Sequence, residues 1–214
     1  MNSKKQAKNK NNTVKTQLLC ILLFLLALAG FHLLTVIDNK YSKDYYEIRA
    51  GVLLADAQAL NHDKLLYLTE GWEIYPDRLL SPQDFLSSSV SANGLATRIG
   101  EYMNFAGFHQ GHSPYGTATY RLRFASSRQL DGLVLYLPEI FSACRVYING
   151  KETVSQGSLQ PYSPMVRDLI LSVPDGTAAD IIIQTANYSH YYSGIIYPPV
   201  LGSAQAIHLQ TSVR

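Results

Sequence analysis

The chain predicts an all-β fold, a β-sandwich of about nine strands behind one apolar N-terminal helix. Three observations predict it. Twenty uncharged, mostly apolar residues run from Leu18 to Ile37. A middle stretch, Gly116 to Gly150, alternates apolar and polar residues, then runs apolar, then alternates again up to an Asn-Gly pair. Nowhere do strand-like runs alternate with long helical ones, and there is no internal repeat, so a parallel sheet or a solenoid is not expected. With 214 residues, 47% of them hydrophobic and 15 of them tyrosine, the chain is long enough for one ordinary core plus an appendage.

The appendage comes first. At ~1.5 Å per residue, LLCILLFLLALAGFHLLTVI covers the ~30 Å of a bilayer core. Lys4, Lys5, Lys8, Lys10 and Lys15 precede it and Asp38 follows, an asymmetry that places the N-terminus in the cytoplasm and everything after Asn39 outside. The expected organisation is a basic tail over 1–17, a signal anchor over 18–37, a juxtamembrane linker over 38–47 and an extracytoplasmic domain over 48–214. A cleaved signal peptide is the rival, because Ala27-Leu28-Ala29 has the small-x-small pattern ahead of Gly30. Against it, the apolar run continues through Phe31, Leu33, Leu34, Val36 and Ile37. Both readings export residues 40–214.

Charge sets a further bound. Setting aside the five leading lysines leaves 13 basic against 16 acidic groups, a net of −3, which argues against a nucleic-acid surface. Cys20 in the apolar run and Cys144 on a strand are not expected to meet in a disulfide. His32 reads as a neutral imidazole near the outer interface.

The exported elements follow in order. Tyr41, Tyr45 and Tyr46 suit either a headgroup level or a linker. Ile48–Leu54 is a first strand, with Gly51 permitting a bend. Ala55–Asn61 fits a short helix or a loop equally. Lys64–Tyr75 reads as one strand interrupted at Glu70-Gly71 and ended by Pro76. Ser81 reads as an N-cap with Pro82 in the first turn of a short helix. Ser87–Pro114 has no period, and a loop this long shapes a site or covers the sandwich.

The central stretch is clearest. Tyr120, Leu122 and Phe124 point one way while Thr119, Arg121 and Arg123 point the other. Leu133–Leu137 is apolar throughout, as a strand covered on both faces should be. Ala143–Ile148 alternates and stops at Asn149-Gly150, a type I′ hairpin signal, after which Lys151–Val154 starts another strand. Gly157–Pro164 is an irregular loop, Met165–Val173 contains a strand, and Pro174-Asp175-Gly176 is a turn. Ala179–Ala186 is a buried strand, Asn187–Pro199 an aromatic loop, and Ala204–Leu209 the last strand.

Several blocks in this order resemble a known family. Gly51-Val52-Leu53, Glu70-Gly71-Trp72-Glu73-Ile74-Tyr75, Leu80-Ser81-Pro82-Gln83-Asp84-Phe85, Gly116 to Phe124, Ser142 to Gly150 and Asn187…His190…Gly194 resemble the extracellular jelly-roll domain of bacterial seven-transmembrane receptors with diverse intracellular signalling modules. Tyr120-Arg121-Leu122-Arg123-Phe124 and Val146-Tyr147-Ile148-Asn149-Gly150 are also similar to the galactose-binding-like, sugar-binding domain of family 2 glycoside hydrolases. The resemblance covers Ile48 to Leu209. It implies a jelly-roll β-sandwich that recognises a small ligand, a carbohydrate being one candidate, as the sensory part of a bacterial signalling system. Such receptors continue into further membrane helices and an output module. For this chain the expectation is one of three: a membrane-embedded signalling partner supplies the output, the domain works as a tethered binding module, or it is one piece of a split gene. The alternatives are an interaction domain docking a membrane receptor or kinase, and an accessory carbohydrate-binding module of a glycoside hydrolase.

No enzyme, cofactor or metal is expected. The chain has no G-x-S-x-G, P-loop, H-E-x-x-H or C-x-x-C. His109 and His112, in a Gly-rich loop without a nearby acid or Cys, read as ordinary loop histidines rather than metal ligands. Glu70 and Glu73 read as surface charges on a strand, not as the paired acids of a glycosidase. Trp72 reads as core, and Arg121 and Arg123 as a solvated face or a partner contact.

Binding groups are the better candidates. Sugars are held by aromatic faces against their C–H surfaces and by amides and Arg forks on their hydroxyls, from loops on a rigid scaffold. Asn187, His190, Tyr191 and Tyr192 form such a set, with Tyr188 and Tyr197 adding faces and Tyr162 and Arg167 standing opposite. The competing reading is that Asn187 and His190 only brace the loop while Tyr191 and Tyr192 cover the sandwich end. Asn187-Tyr188-Ser189 also matches a glycosylation triplet.

Overall fold

The computed structural model describes residues 2–38, 46–56, 60, 64–87, 90, 94–100, 104–109 and 111–212. They fall into two compact units, Met1–Lys43 and Asp44–Arg214. The first is a single helix, α1 (Asn2–Asp38), so the basic tail is helical as well as the apolar run. Within it Val14–Leu34, 21 residues, is long and apolar enough to cross a membrane. Phe24, Leu26, Phe31 and Leu34 all lie exposed on its surface. A helix apolar around its whole circumference needs an apolar surrounding such as lipid.

The second unit is built from two sheets. β1 (Tyr46–Arg49), β2 (Val52–Ala55), β4 (Trp72–Pro76), β5 (Leu95–Thr97), β6 (Gly116–Ser126), β8 (Ala143–Ile148), β9 (Lys151–Gln156) and β11 (Ala178–Asn187) form one. β3 (Leu66–Tyr67), β7 (Leu133–Leu137), β10 (Leu169–Ser172) and β12 (Val200–Ser203) form the other, in the order β10-β7-β12-β3. The alternation read from the sequence is what makes them pack. Leu122 and Phe124 of β6, Ile181 and Ile183 of β11 and Cys144 and Val146 of β8 share one buried cluster with Leu133, Leu135 and Leu137 of β7 and Leu169 and Leu171 of β10. Each such side chain removed from water contributes about 1.5–3 kcal/mol. The unit is therefore a β-sandwich.

β6, eleven residues long, organises the larger sheet. One edge pairs with β11 over Gly116–Ala125; the other takes β4 antiparallel over Ala118–Arg121 and β2 parallel over Arg123–Ser126. The strands of the central stretch mostly do not pair with one another, since β7 crosses to the opposite sheet and only β8 and β9 form a hairpin. At its turn Asn149 and Gly150 have φ of 51° and 79°, as a type I′ turn requires.

Both outer faces are covered in part. Ile182 of β11 and Tyr147 of β8 pack beneath Leu80, Phe85 and Val90 of the segment after β4. Arg121 is consequently not on a solvated face. Arg121 makes a bidentate pair with Asp180 at 3.0 and 2.9 Å, lies 4.6 Å below the Phe85 ring and keeps only 14% of its side chain exposed. Arg123 bonds Glu73 at 3.2 Å. On the other sheet, Val134 and Tyr136 of β7 lie under Ile207, so β7 is covered on both faces as its sequence predicts.

Several expectations are corrected. The first strand is the β1–β2 hairpin, because Ala50 and Gly51 both take positive φ, 49° and 72°. The strand interrupted at Glu70-Gly71 is two strands in different sheets, with Gly71 at φ 79° where the chain crosses between them. Ser81 does not cap a helix: the Asp84 carboxylate accepts from its N–H and its hydroxyl, both at 2.7 Å, beside a 3₁₀ turn at Asp84–Leu86. Those bonds hold Asp84 below the usual carboxylate range. The last strand is β12, and the residues expected to form it are a helix, α2 (Ala204–Ser212), whose Ala206 N–H bonds the Ser203 hydroxyl at 3.2 Å. Among the described residues the strands number twelve, against the nine or so expected. Much of the linker at 38–47 and of the helix or loop at Ala55–Asn61 lies outside the described residues.

Candidate functional site

The strand register gathers the residues singled out as ligand contacts. Asn187, last in β11, pairs with Gly116, first in β6, and Ala186 pairs with Ala143, first in β8. One end of the sandwich therefore presents the aromatic loop that follows Asn187, the loop before β6 and the connection before β8.

Asn187 is fully buried at the root of this end. Its Oδ1 accepts from the N–H groups of Ser189 at 3.3 Å and His190 at 3.0 Å, the local turn that Asn side chains favour. Its Nδ2 lies 2.7 Å from the His190 carbonyl and 3.1 Å from those of Tyr192 and Pro114. The side chain thus ties the aromatic loop to itself and to the loop before β6, and it stands behind the surface rather than on it. The same burial takes the Asn187-Tyr188-Ser189 triplet out of reach of glycosylation in the folded domain.

Further ties hold the loop. Ser193 Oγ accepts from the Phe105 N–H at 2.8 Å, and Asn104 Nδ2 donates to the Tyr191 carbonyl at 3.0 Å. Gly194 exchanges two backbone bonds with Phe141, at 2.7 and 3.2 Å. A Cβ at Gly194, whose φ is 71°, would strike the Tyr120 hydroxyl and come within 2.8 Å of the Phe105 ring. None of these partners is signalled by spacing along the chain. The nearest hint is the Ser193-Gly194 pair, which marks a turn without saying what it touches.

The outward surface is aromatic. Tyr188, Tyr191 and Tyr192 are 52%, 71% and 50% exposed. Tyr191 and Tyr192 meet edge to face at 5.7 Å, and Phe141 backs Tyr192 at 6.0 Å and His190 at 5.8 Å. Tyr162, from the loop after β9, does stand beside this loop, with its ring 5.1 Å from that of Tyr188. Its hydroxyl bonds Ser189 Oγ at 2.6 Å and, more closely still, Ser142 Oγ. Burial raises the Tyr162 phenol, but the bonds to Ser142, Ser189 and the Tyr188 backbone outweigh it and leave the group below its ordinary value. Arg167 is exposed on the segment leading to β10, and among the described residues no hydrogen bond or ion pair holds it.

The other singled-out residues take structural places. Trp72 is buried and donates to the Leu68 carbonyl at 2.8 Å. Glu70 pairs with Arg98 at 3.0 Å, and Glu73 accepts from Tyr75 at 2.8 Å as well as from Arg123. His109 is buried against Phe105 with its Nε2 3.5 Å from Asp77, and His112 turns its Nδ1 to the Ala106 carbonyl. Among the described residues no three His, Cys, Asp or Glu side chains cluster as a metal site would need. At the opposite end of β6 is an open cavity of about 590 Å³, lined by Tyr46, Glu47, Leu54, Asp56, Ser126 and Ser127 among others, which no motif foreshadows.

No protein-family model and no curated protein matches the chain. Among solved structures it is similar to a β-glucuronidase from Bacteroides uniformis, with a TM-score of 0.49 and 12% identity over 64% of this chain and 17% of that one. A family 2 glycosyl hydrolase from Bacteroides cellulosilyticus gives 0.49 and 15% over 64% and 20%. A GH2 β-galacturonidase from Eisenbergiella tayi gives 0.44 and 14% over 76% and 26%. The chain spans from 17% to 26% of the length of these three enzymes.

Proposed function

We propose that this chain is a membrane-anchored extracytoplasmic recognition domain that binds a carbohydrate at its aromatic end and serves as the sensory part of a bacterial signalling system. The observation that carries the reading is the combination of three exposed tyrosine rings with a loop fastened from behind by Asn187, Ser193 and Gly194. Sugar rings present C–H faces that pack on aromatic rings, and a surface already held in place loses little conformational freedom on binding.

In this reading Tyr188, Tyr191, Tyr192 and His190 contact the ligand. Tyr162 forms a fixed wall beside Tyr188, and Asn187 positions the loop without touching the ligand, while Arg167, which makes no contact with these rings among the described residues, stays outside the binding set. The domain recognises and does not catalyse. α1 is the signal anchor, oriented by its leading lysines with the sandwich outside, and a membrane-embedded partner supplies the output.

The test is a thermal-shift screen of the full chain in detergent micelles against neutral and acidic saccharides, repeated with Tyr192→Ala. At least one saccharide should raise the midpoint, by about 2.7 kcal/mol of stabilisation at a hundredfold excess over its dissociation constant, and the variant should lose most of that shift. If no saccharide stabilises the protein while a membrane receptor co-purifies with it, docking replaces ligand sensing as the function.

A further inference from the structure

The mutual angles of the rings restrict what can lie on them, and this step rests on the saccharide reading above. Tyr191 and Tyr192 stand at 80°, Tyr162 and Tyr188 at 79°, and Phe141 makes 63° with His190 and 48° with Tyr192. An ordered polysaccharide offers one flat face many sugars wide, and holding it requires several rings in one plane. Here each exposed ring is turned steeply against its neighbour, so a plane laid on Tyr191 meets Tyr192 edge-on.

These angles have causes within the fold. The Tyr162 hydroxyl is tied to Ser142 and Ser189, and Tyr188 leans on that ring. Asn187 and Asn104 fix the Tyr192 and Tyr191 carbonyls, and Phe141 backs the Tyr192 ring. Flattening the surface would break these hydrogen bonds, of which those of Tyr162 with Ser142 and of Asn187 with the Tyr192 carbonyl are partly buried. The cluster also lacks charge: among the described residues no carboxylate, lysine or arginine makes a hydrogen bond, ion pair or ring contact with Phe141, Tyr162, Tyr188, Tyr191 or Tyr192.

We infer that the aromatic end takes the terminus of a soluble, uncharged saccharide, about one or two sugar rings wedged between steeply inclined tyrosines, and does not take the face of an insoluble polysaccharide. A chain end exposes two sides of one ring at once, which matches a corner and not a platform. With no ionic partner in the corner, binding depends little on salt.

The experiment pairs probes of one chemistry in two physical forms. The full chain in micelles is titrated with cellohexaose, chitohexaose and neutral manno- and galacto-oligosaccharides, and is separately incubated with microcrystalline cellulose and with chitin. At least one soluble oligosaccharide should bind, with an affinity that changes less than about twofold between 0.1 and 1 M salt, while neither solid depletes the protein from solution. Tyr191→Ala and Tyr192→Ala should each weaken that binding by about tenfold, with the unfolding midpoint unchanged for the first, whose ring is largely exposed, and little lowered for the second, whose ring is half-exposed. Depletion by a solid, or an affinity that collapses in salt, overturns the chain-end inference and leaves saccharide recognition standing. Failure of every soluble and solid probe overturns both.

Discussion

Asn187 shows how one side chain can decide whether a binding surface exists. It satisfies carbonyls on two loops and two N–H groups, all at a position without solvent. Asn187→Ala removes every one of these partners at once, and buried groups left unpaired cost more than the bonds themselves were worth. The expected loss is about 2–4 kcal/mol, read from urea unfolding of the full chain in micelles. Asn187→Asp, which keeps an acceptor and loses the donors, should fall between the variant and the parent. The sequence made this residue legible as an amide at the mouth of an aromatic loop. It did not make its burial legible, because one of its partners, Pro114, lies 73 residues away, and local pattern carries no information about that distance. Gly51 makes the same point: it reads as a bend, but a Cβ there would also lie 2.6 Å from the Arg123 guanidinium, which would have to move, at a φ of 72° that already favours glycine.

Among whole elements, α2 is where pattern and structure part. Ala204 to Leu209 alternates well enough to suggest a strand, but Ala, Gln and Leu are stronger helix formers than the alternation is a strand signal, and Ser203 offers a cap. What settles the matter is tertiary: Ile207 fills the outer face of the smaller sheet against Tyr136 and Val200, and Gln210 reaches the Tyr67 hydroxyl at 2.6 Å. Ile207→Ala should therefore cost about 2–4 kcal/mol and Ser203→Ala about 1 kcal/mol, both measured by chemical denaturation. A loss of strand signal instead of helix signal in circular dichroism of the first variant would contradict this assignment. The crossing at Gly71 was hidden for a related reason. A chain that leaves one sheet for the other keeps its apolar residues facing the same core, so the period barely registers the change. The Asn149-Gly150 hairpin and the buried run of β7 were legible because each is set by local sterics or by burial on two sides.

For the sandwich as a whole, Cys144 offers a probe of global opening. It lies on β8 facing the shared core, fully buried, and burial pushes its thiol up to about 12, with the nearby Arg167 charge pulling the other way without prevailing. The thiolate is the reactive form, so the folded state suppresses reaction both by access and by ionisation. In a Cys20→Ser background at about pH 8, alkylation followed by mass spectrometry should be at least about a thousandfold slower in buffer than in denaturing urea. Its urea dependence should follow the global unfolding curve. The sign with pH is fixed by the same shift. A thiol whose folded value exceeds its unfolded one near 8.5 contributes stability that is complete below that unfolded value and is lost as pH rises toward about 12. The parent should therefore lose stability at alkaline pH more steeply than a Cys144→Ala variant. Rapid alkylation at neutral pH without urea would mean that the two sheets part well short of unfolding. The rigid end on which the aromatic corner depends could not then be maintained, because its braces run from β8 and β11 of that same core.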